Sequence, residues 1–316
     1  MLFVFTFLVV AAGAKEYRPT AEAFRSVCIS WSSGGMTLIN SSAPIAFDPD
    51  DQWLIGATVS SDDAYHSQQS LVPALEYYQK NMESFSGFVL PDTSGSAEIV
   101  AGFKNLHGGT FAVVESETAH CFSNFVLVAP SRWLADSLAP FARACIVSGC
   151  SLSEDPPPSA YDVLLYRRAH EDGGSLRSVS VRLAKEGLRV DSHTLNASDS
   201  LCIQYAAIRD RARTPVVITI HGTHETTLAL MEPGTLVIEI QTRSSRGGMF
   251  CGPFEKMVLL THSIHRREEP YETCEQRGDV EESVVRHGAV ARGGVYLSPD
   301  EVATVVRLTQ EHLLVS

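Results

Sequence analysis

The stretch Pro215 to Glu239, PVVITIHGTHETTLALMEPGTLVIE, holds the residues most suited to chemistry. Pro215 to Ile220 is almost wholly β-branched and predicts a buried strand. His221-Gly222 follows where that strand ends, ahead of a short helix over Glu225 to Met231. In an open parallel sheet, ligands bind outside the carboxyl ends of the strands. A helix N-terminus there presents free N–H groups and partial positive charge. Gly222 lets a backbone approach a phosphate closely. His221 can donate a hydrogen bond, and carries charge when protonated. The chemistry is that of an anion seat, most simply for a diphosphate. The same dipeptide also serves as an ordinary turn with a satisfied histidine. His221, His224 and Glu225 lack the HExxH spacing and have no further ligand cluster, so no metal site is expected. Asp48-Pro49-Asp50 is a DxD triplet, but its acidic, proline-containing setting reads as a turn. No GxSxG occurs, which argues against a hydrolase with a nucleophile elbow.

These residues need a scaffold, and the pattern around them supplies one. Tyr161 to Tyr166 is a short apolar run suited to a parallel strand. Ser175 to Glu186 sets Leu176, Val179 and Leu183 on one helical face and stops at Gly187. Leu188 to Val190 predicts a strand and Ser200 to Asp210 a helix. The Pro233-Gly234 turn precedes a strand over Thr235 to Gln241. Alternating strands and helices imply right-handed crossovers and a parallel sheet. The first half is less regular. It predicts helices over Ser67 to Met82 and Ser131 to Ser148, and strands over Thr110 to Val114 and Phe125 to Val128. Between the halves, Ser151 to Ser159 contains three consecutive prolines and forms a stiff connector. The expected organisation is an α/β domain over 15–150, a linker over 151–159 and a second α/β domain over 160–316, with a cleft between them.

The 316 residues suit two domains of ordinary globular composition, 44% hydrophobic and 20% charged. Acidic residues outnumber basic ones, 37 to 25, which argues against nucleic acid as a partner. Met1 to Ala14 is apolar apart from Thr6 and ends in Ala12-Gly13-Ala14. It reads as a secretory signal peptide, with a short signal-anchor or a buried N-terminal element as alternatives. Beyond it, no run approaches membrane-spanning length. Seven cysteines without a CxxC pair suit disulfides in a secretory compartment, with at least one thiol left over. Cys202, in an apolar stretch, reads as a buried core residue. Sequons at Asn40 and Asn196 point weakly the same way.

An ordered set of motifs carries a resemblance. Tyr166-Arg167-Arg168 ends a strand, and Gln204 lies in the Ser200 to Ala206 helix. His221-Gly222, Met231-Glu232-Pro233-Gly234 and Val237-Ile238-Glu239 follow. From Tyr161 to about Gln241 this resembles the C-terminal half of the family-61 glycosyltransferases. That family includes ER O-linked N-acetylglucosaminyltransferases and plant xylan xylosyl- and arabinosyltransferases. Asp63-Ala64-Tyr65-His66 with Leu71 to Leu75, His120-Cys121-Phe122, and Val295 to Glu301 are similar to further elements of it. The family's His-Gly-Ala-Gly-Leu stands here as His221-Gly222-Thr223-His224-Glu225, and its Asn-x-x-His begins with Asp63. His224 adds bulk where the family has glycine, and Glu225 adds negative charge at the mouth of the seat.

The resemblance implies a GT-B fold, with two Rossmann-like domains and the active site in their cleft. It implies an inverting, metal-independent transfer from a UDP-sugar, carrying GlcNAc or a pentose, to a protein or polysaccharide hydroxyl. The place of action would be the ER or Golgi lumen, or outside the cell. His66 becomes the candidate base, and His221 a catalytic residue at the leaving diphosphate. Arg167 and Arg168 would supply planar donors for phosphate. Gly222, Thr223 and His224 would cradle it, and Glu239 would accept the ribose hydroxyls. The altered motif keeps a second expectation open, a catalytically inactive binding module on the same fold.

Overall fold

The computed structural model describes residues 21–32, 35–40, 52–57, 64–92, 97–115, 118–129, 138–168, 174–196, 198–220, 223–241, 256–261, 271–273 and 297–315. The expected signal segment, Asp48-Pro49-Asp50, Asp63, His221, Gly222, Cys251 and Cys274 lie outside those residues. The fold is mixed α/β, built on two largely parallel sheets. Among the described residues, no helix is long and apolar enough to cross a membrane.

The first half runs β1 (Ala21–Ser32), β2 (Gly35–Asn40), β3 (Trp53–Ala57), α1 (Ala64–Lys80), β4 (Phe85–Pro91), α2 (Ala97–His107), β5 (Phe111–Val114), β6 (Ala119–Val128) and α3 (Leu138–Gly149). Its sheet has the order β2-β1-β6-β3-β4-β5. The four strands from β6 to β5 are parallel, and β1 joins β6 antiparallel. Buried residues of α1, α2 and α3 share one apolar cluster with the inward side chains of β3 and β4.

Among the described residues, the other face of this sheet is covered by strand rather than helix. Ala21 and Ala57 both align with Val128, so in a flat ribbon Trp31 would lie about 33 Å away from Ala57. Instead, Trp31 Nε1 donates a buried 3.2 Å hydrogen bond to the Ala57 carbonyl. The ribbon therefore folds back over its own sheet. The bend falls at Ser26, which has a positive φ of 55° and is skipped in the β1–β6 pairing. Val27, Ile29 and Trp31 beyond it pack on Val89, Phe125 and Leu127. The Cys28–Cys121 disulfide joins directly opposed residues in the folded-back part.

The second half runs β7 (Val163–Arg168), α4 (Gly174–Lys185), β8 (Val190–Leu195), α5 (Leu201–Arg209), β9 (Val216–Ile220), a 3-10 helix (Thr223–Leu230), β10 (Leu236–Gln241), β11 (Lys256–Thr261), β12 (Tyr271–Thr273) and α6 (Pro299–Val315). The sheet order is β12-β11-β10-β9-β7-β8, parallel except for β12. Two expectations need correction. The strand after Gly187 begins at Val190 and runs to Leu195. The helix expected over Glu225 to Met231 begins at Thr223 and is a 3-10 helix. Thr227 Oγ1 donates to the His224 carbonyl three residues back at 2.8 Å, a contact that suits the tighter winding.

Alternation divides the second sheet cleanly. Val163, Leu165, Ile218 and Ile238 face α4 and α6. Leu164, Tyr166, Val217 and Val237 face the other way, into the cluster that holds α1 and α3. The expected cleft is not open along this face, because α1 and α3 pack directly on the 3-10 helix. Two arginines bind that helix by its carbonyl end. Arg143 of α3 donates through Nε to the Ala229 carbonyl at 3.0 Å, and through Nη2 to that of Met231. Arg209, buried on α5, donates to the carbonyls of Ser153 (2.9 Å), Glu154 and Leu230 (3.3 Å), and pairs with Glu232 at 3.0 Å. The linker is thereby strapped to the second half.

Cys150 is bonded to Cys202, so the expectation of Cys202 as a plain core residue is corrected. It lies at the start of α5, half-buried, where the chain leaving α3 passes. In the chain-entropy model, closing its 52-residue separation is worth about 4 kcal/mol. Cys145 remains a buried thiol, and desolvation pushes its pKa up to about 12. Two disulfides among the described residues fit a secreted or lumenal protein.

Helices α2 and α3 touch backbone to backbone. A Cβ on Gly102 would lie 1.7 Å from the Cys145 carbonyl oxygen, and one on Gly149 would lie 1.9 Å from that of Glu98. Gly102→Ala should therefore lower unfolding free energy by about 2–3 kcal/mol in urea denaturation. Exposed Ala101→Ser on the same helix should change it by less than about 0.5 kcal/mol.

Candidate functional site

Within the second sheet, β7 lies between β8 and β9, so successive crossovers leave in opposite directions from its two sides. This reversal is the topological switch point at which open α/β sheets form a crevice. The carboxyl ends that flank it belong to β7, which ends at Arg168, and β9, which ends at Ile220. His221 and Gly222 are next in the chain. The 3-10 helix starts at Thr223, whose backbone provides its first residue.

One register row crosses the strands just below that edge. It contains His193, Tyr166, Thr219 and Glu239. All four follow the alternation onto the face turned toward the first half. Tyr166, Thr219 and Glu239 are fully or nearly fully buried. His224 comes down onto this row from the 3-10 helix. Its Nε2 shares a 2.9 Å hydrogen bond with Thr219 Oγ1, and its ring meets Tyr166 edge-on, with centroids 4.9 Å apart. Tyr166 Oη lies 2.8 Å from Thr227 Oγ1, which donates onward to the His224 carbonyl. The network ties the start of the 3-10 helix to the tips of β7 and β9. It holds that helix at the switch point through four side chains, His224, Thr219, Tyr166 and Thr227.

The sequence-derived residues separate into groups. His224 and Glu239 come together on the inner face. The His224 imidazole is turned into the interior, 3% exposed. Glu239 is completely buried, two residues before the end of β10, and aligns with Thr219. Arg167 is half-buried and follows Leu165 onto the opposite face, the one that carries α4 and α6. Arg168 closes β7, in register with Leu195. His66 lies in the first turn of α1, the helix that packs on the 3-10 helix. Gln204 donates to the Asp199 carbonyl at 2.8 Å, supporting the start of α5 beside the Ser200 cap. Among the described residues, no three His, Cys, Asp or Glu side chains gather as a metal-binding group.

Sequence reasoning overlooked Thr219 and Thr227, and named Tyr166 only as a strand-end residue. The signal for Thr219 is a lone hydroxyl in an otherwise aliphatic strand, a residue that burial tolerates only with a partner. His193 stacks on Tyr166 with centroids 5.9 Å apart. Desolvation, reinforced by nearby Arg211, lowers its pKa below the ordinary 6.5, against an opposing pull from Asp191 and Asp199.

No protein-family model matches the chain, and no curated protein matches it.

Two outcomes follow from this geometry. Thr219→Val keeps the shape but removes the His224 partner, and should cost about 1–3 kcal/mol of stability by chemical denaturation. His193 is harder to protonate in the folded state than in the unfolded chain, so the unfolded chain takes up the proton first as pH falls through 6.5. Its contribution is therefore a loss of stability on the acid side of that value. His193→Gln should flatten that part of a melting-temperature profile against pH.

Proposed function

We propose that the protein is an inverting glycosyltransferase of the secretory pathway that uses a UDP-sugar donor, with a GT-B arrangement of its two halves. The observation that carries this reading is the switch point itself. The tips of β7 and β9 flank it, so one strand ends there at Arg167-Arg168 and the other ends there at Ile220, the residue that precedes His221-Gly222 in the sequence. Such an edge suits the diphosphate of a nucleotide sugar. The two disulfides favour a lumenal setting, in which the acceptor is a protein or polysaccharide hydroxyl.

On this reading the residues act as follows. Backbone N–H groups at Gly222 and Thr223 and the His221 side chain stabilise the leaving diphosphate. Arg168 adds fixed positive charge at the end of β7. His66 removes the acceptor proton as sugar transfer proceeds. His224 acts from below, through Thr219 and Tyr166, by fixing the entry of the 3-10 helix. Its burial favours the reading, because the bulk that replaces the family's second glycine lies in the interior.

Glu239 favours the second reading, a binding module without transferase activity. A fully buried carboxylate does not offer itself to a ribose at the surface.

Titration calorimetry with UDP and UDP-sugars tests the first reading. Binding in the micromolar to millimolar range is expected, weakened about tenfold or more by Arg168→Ala or His221→Ala. No heat at millimolar nucleotide would sink it. Sugar transfer to a hydroxyl acceptor, lost in His221→Ala, would eliminate the binding module.

A further inference from the structure

The outer face of the second sheet carries a feature unrelated to the nucleotide seat. Helices α4 and α6 lie side by side there, and an open groove of about 620 Å³ runs between them. One wall is basic. Residues 174–185 of α4 contain Arg177, Arg182 and Lys185 and no acidic residue, although the chain as a whole carries a net charge of −12. All three cations line the groove. Arg182 is paired with Glu186 at 3.1 Å. Arg177 and Lys185 make no ion pair among the described residues. They stand eight residues apart on one helix, about 12 Å along its axis. Val181 lies between them, half exposed. The opposite wall and floor are aliphatic, from Leu297 and Val302 at the start of α6. Of the two acidic residues in that first turn, Glu301 is withdrawn, buried and accepting from the Ser298 N–H at 2.6 Å, while Asp300 is exposed.

We infer that this groove binds an acidic polysaccharide, a glycan chain bearing sulfate or carboxylate groups at intervals along its length. Two separated cations with an apolar patch between them match a ligand whose charges repeat and whose ring faces are apolar. The groove is concave, whereas a membrane surface calls for a protruding apolar face bordered by cations. The disulfides favour a compartment in which anionic polymers are glycans rather than nucleic acids. The local cations work against the overall field of the protein, so binding depends on close contact and weakens steeply with salt.

The test uses the full chain and a heparin octasaccharide as probe, in calorimetric titrations at low and high salt. Binding is expected at low salt, reduced at high salt. It should fall at least about tenfold in Arg177→Glu/Lys185→Glu, while Lys80→Glu, exposed on α1, leaves it unchanged. Near-ultraviolet circular dichroism confirms that each variant keeps its packing. Absence of binding by the wild-type chain, or an equal loss in Lys80→Glu, overturns the assignment. So does co-sedimentation with phosphatidylserine vesicles by a chain that ignores the octasaccharide. UDP titrations on the same samples report the nucleotide seat separately, so failure of either reading is distinguishable from failure of the other.

Discussion

Two guanidinium groups on the carbonyl end of one short helix hold this molecule together. A 3-10 helix ends with unsatisfied carbonyls and a partial negative charge. Arg143 reaches Ala229 and Met231 from the first half, and Arg209 reaches Leu230 from α5 while also gripping the linker at Ser153 and Glu154. Glu232 sits between the two cations, 3.0 Å from Arg209 and 3.9 Å from Arg143. Planar forks on a fixed set of carbonyls impose direction as well as attraction. With that end fixed, the other end of the same helix meets the tip of β9. The position of the candidate seat is thus set partly by a residue from the other half of the protein.

The inner face of the second sheet combines two demands. Toward the amino ends of its strands it is aliphatic and merges with the core around α1 and α3. Toward the carboxyl ends it becomes polar, with Tyr166, Thr219, Glu239 and His224 buried together. Buried polar groups of this kind are costly when unsatisfied, and specify a unique arrangement when paired. The transition within one or two residues along each strand marks where packing gives way to positioning. Among the described residues, the first sheet has no second helical layer, and its bent ribbon fills that role through Trp31 and the aliphatic residues beside it.

Much of the second half was legible because its elements are short, regular and punctuated. Val163–Arg168 and Val216–Ile220 stand out by β-branching and aliphatic density, and Gly187 and Pro233-Gly234 mark the breaks. The first half was harder to read. The apolar residues of β1 alternate around a bend at Ser26, so one strand serves two surfaces, and its pattern matches neither a single face nor a helix. Helix α2 is short, and its packing relies on Gly102, which weakens the helical signal. In the candidate site, the end of β9 at Ile220 was readable from its β-branched run. The fate of His224 was not, because a histidine after a strand can point outward or inward, and only Thr219 and Tyr166 decide which.

The sequence by itself determined the class of fold, the parallel alternation of the second half and where β9 and β10 end. These follow from local periodicity and turn chemistry, which act over a few residues. Tertiary structure alone decided the pairing of Cys150 with Cys202 and the folding back of the β1–β6 ribbon. It also decided the clamp of Arg143 and Arg209, and which faces Arg167 and Glu239 occupy. Those depend on residues that are distant in the chain but adjacent in space. The free energy of burying a charge or a hydroxyl is set by what surrounds it, and no local pattern records that.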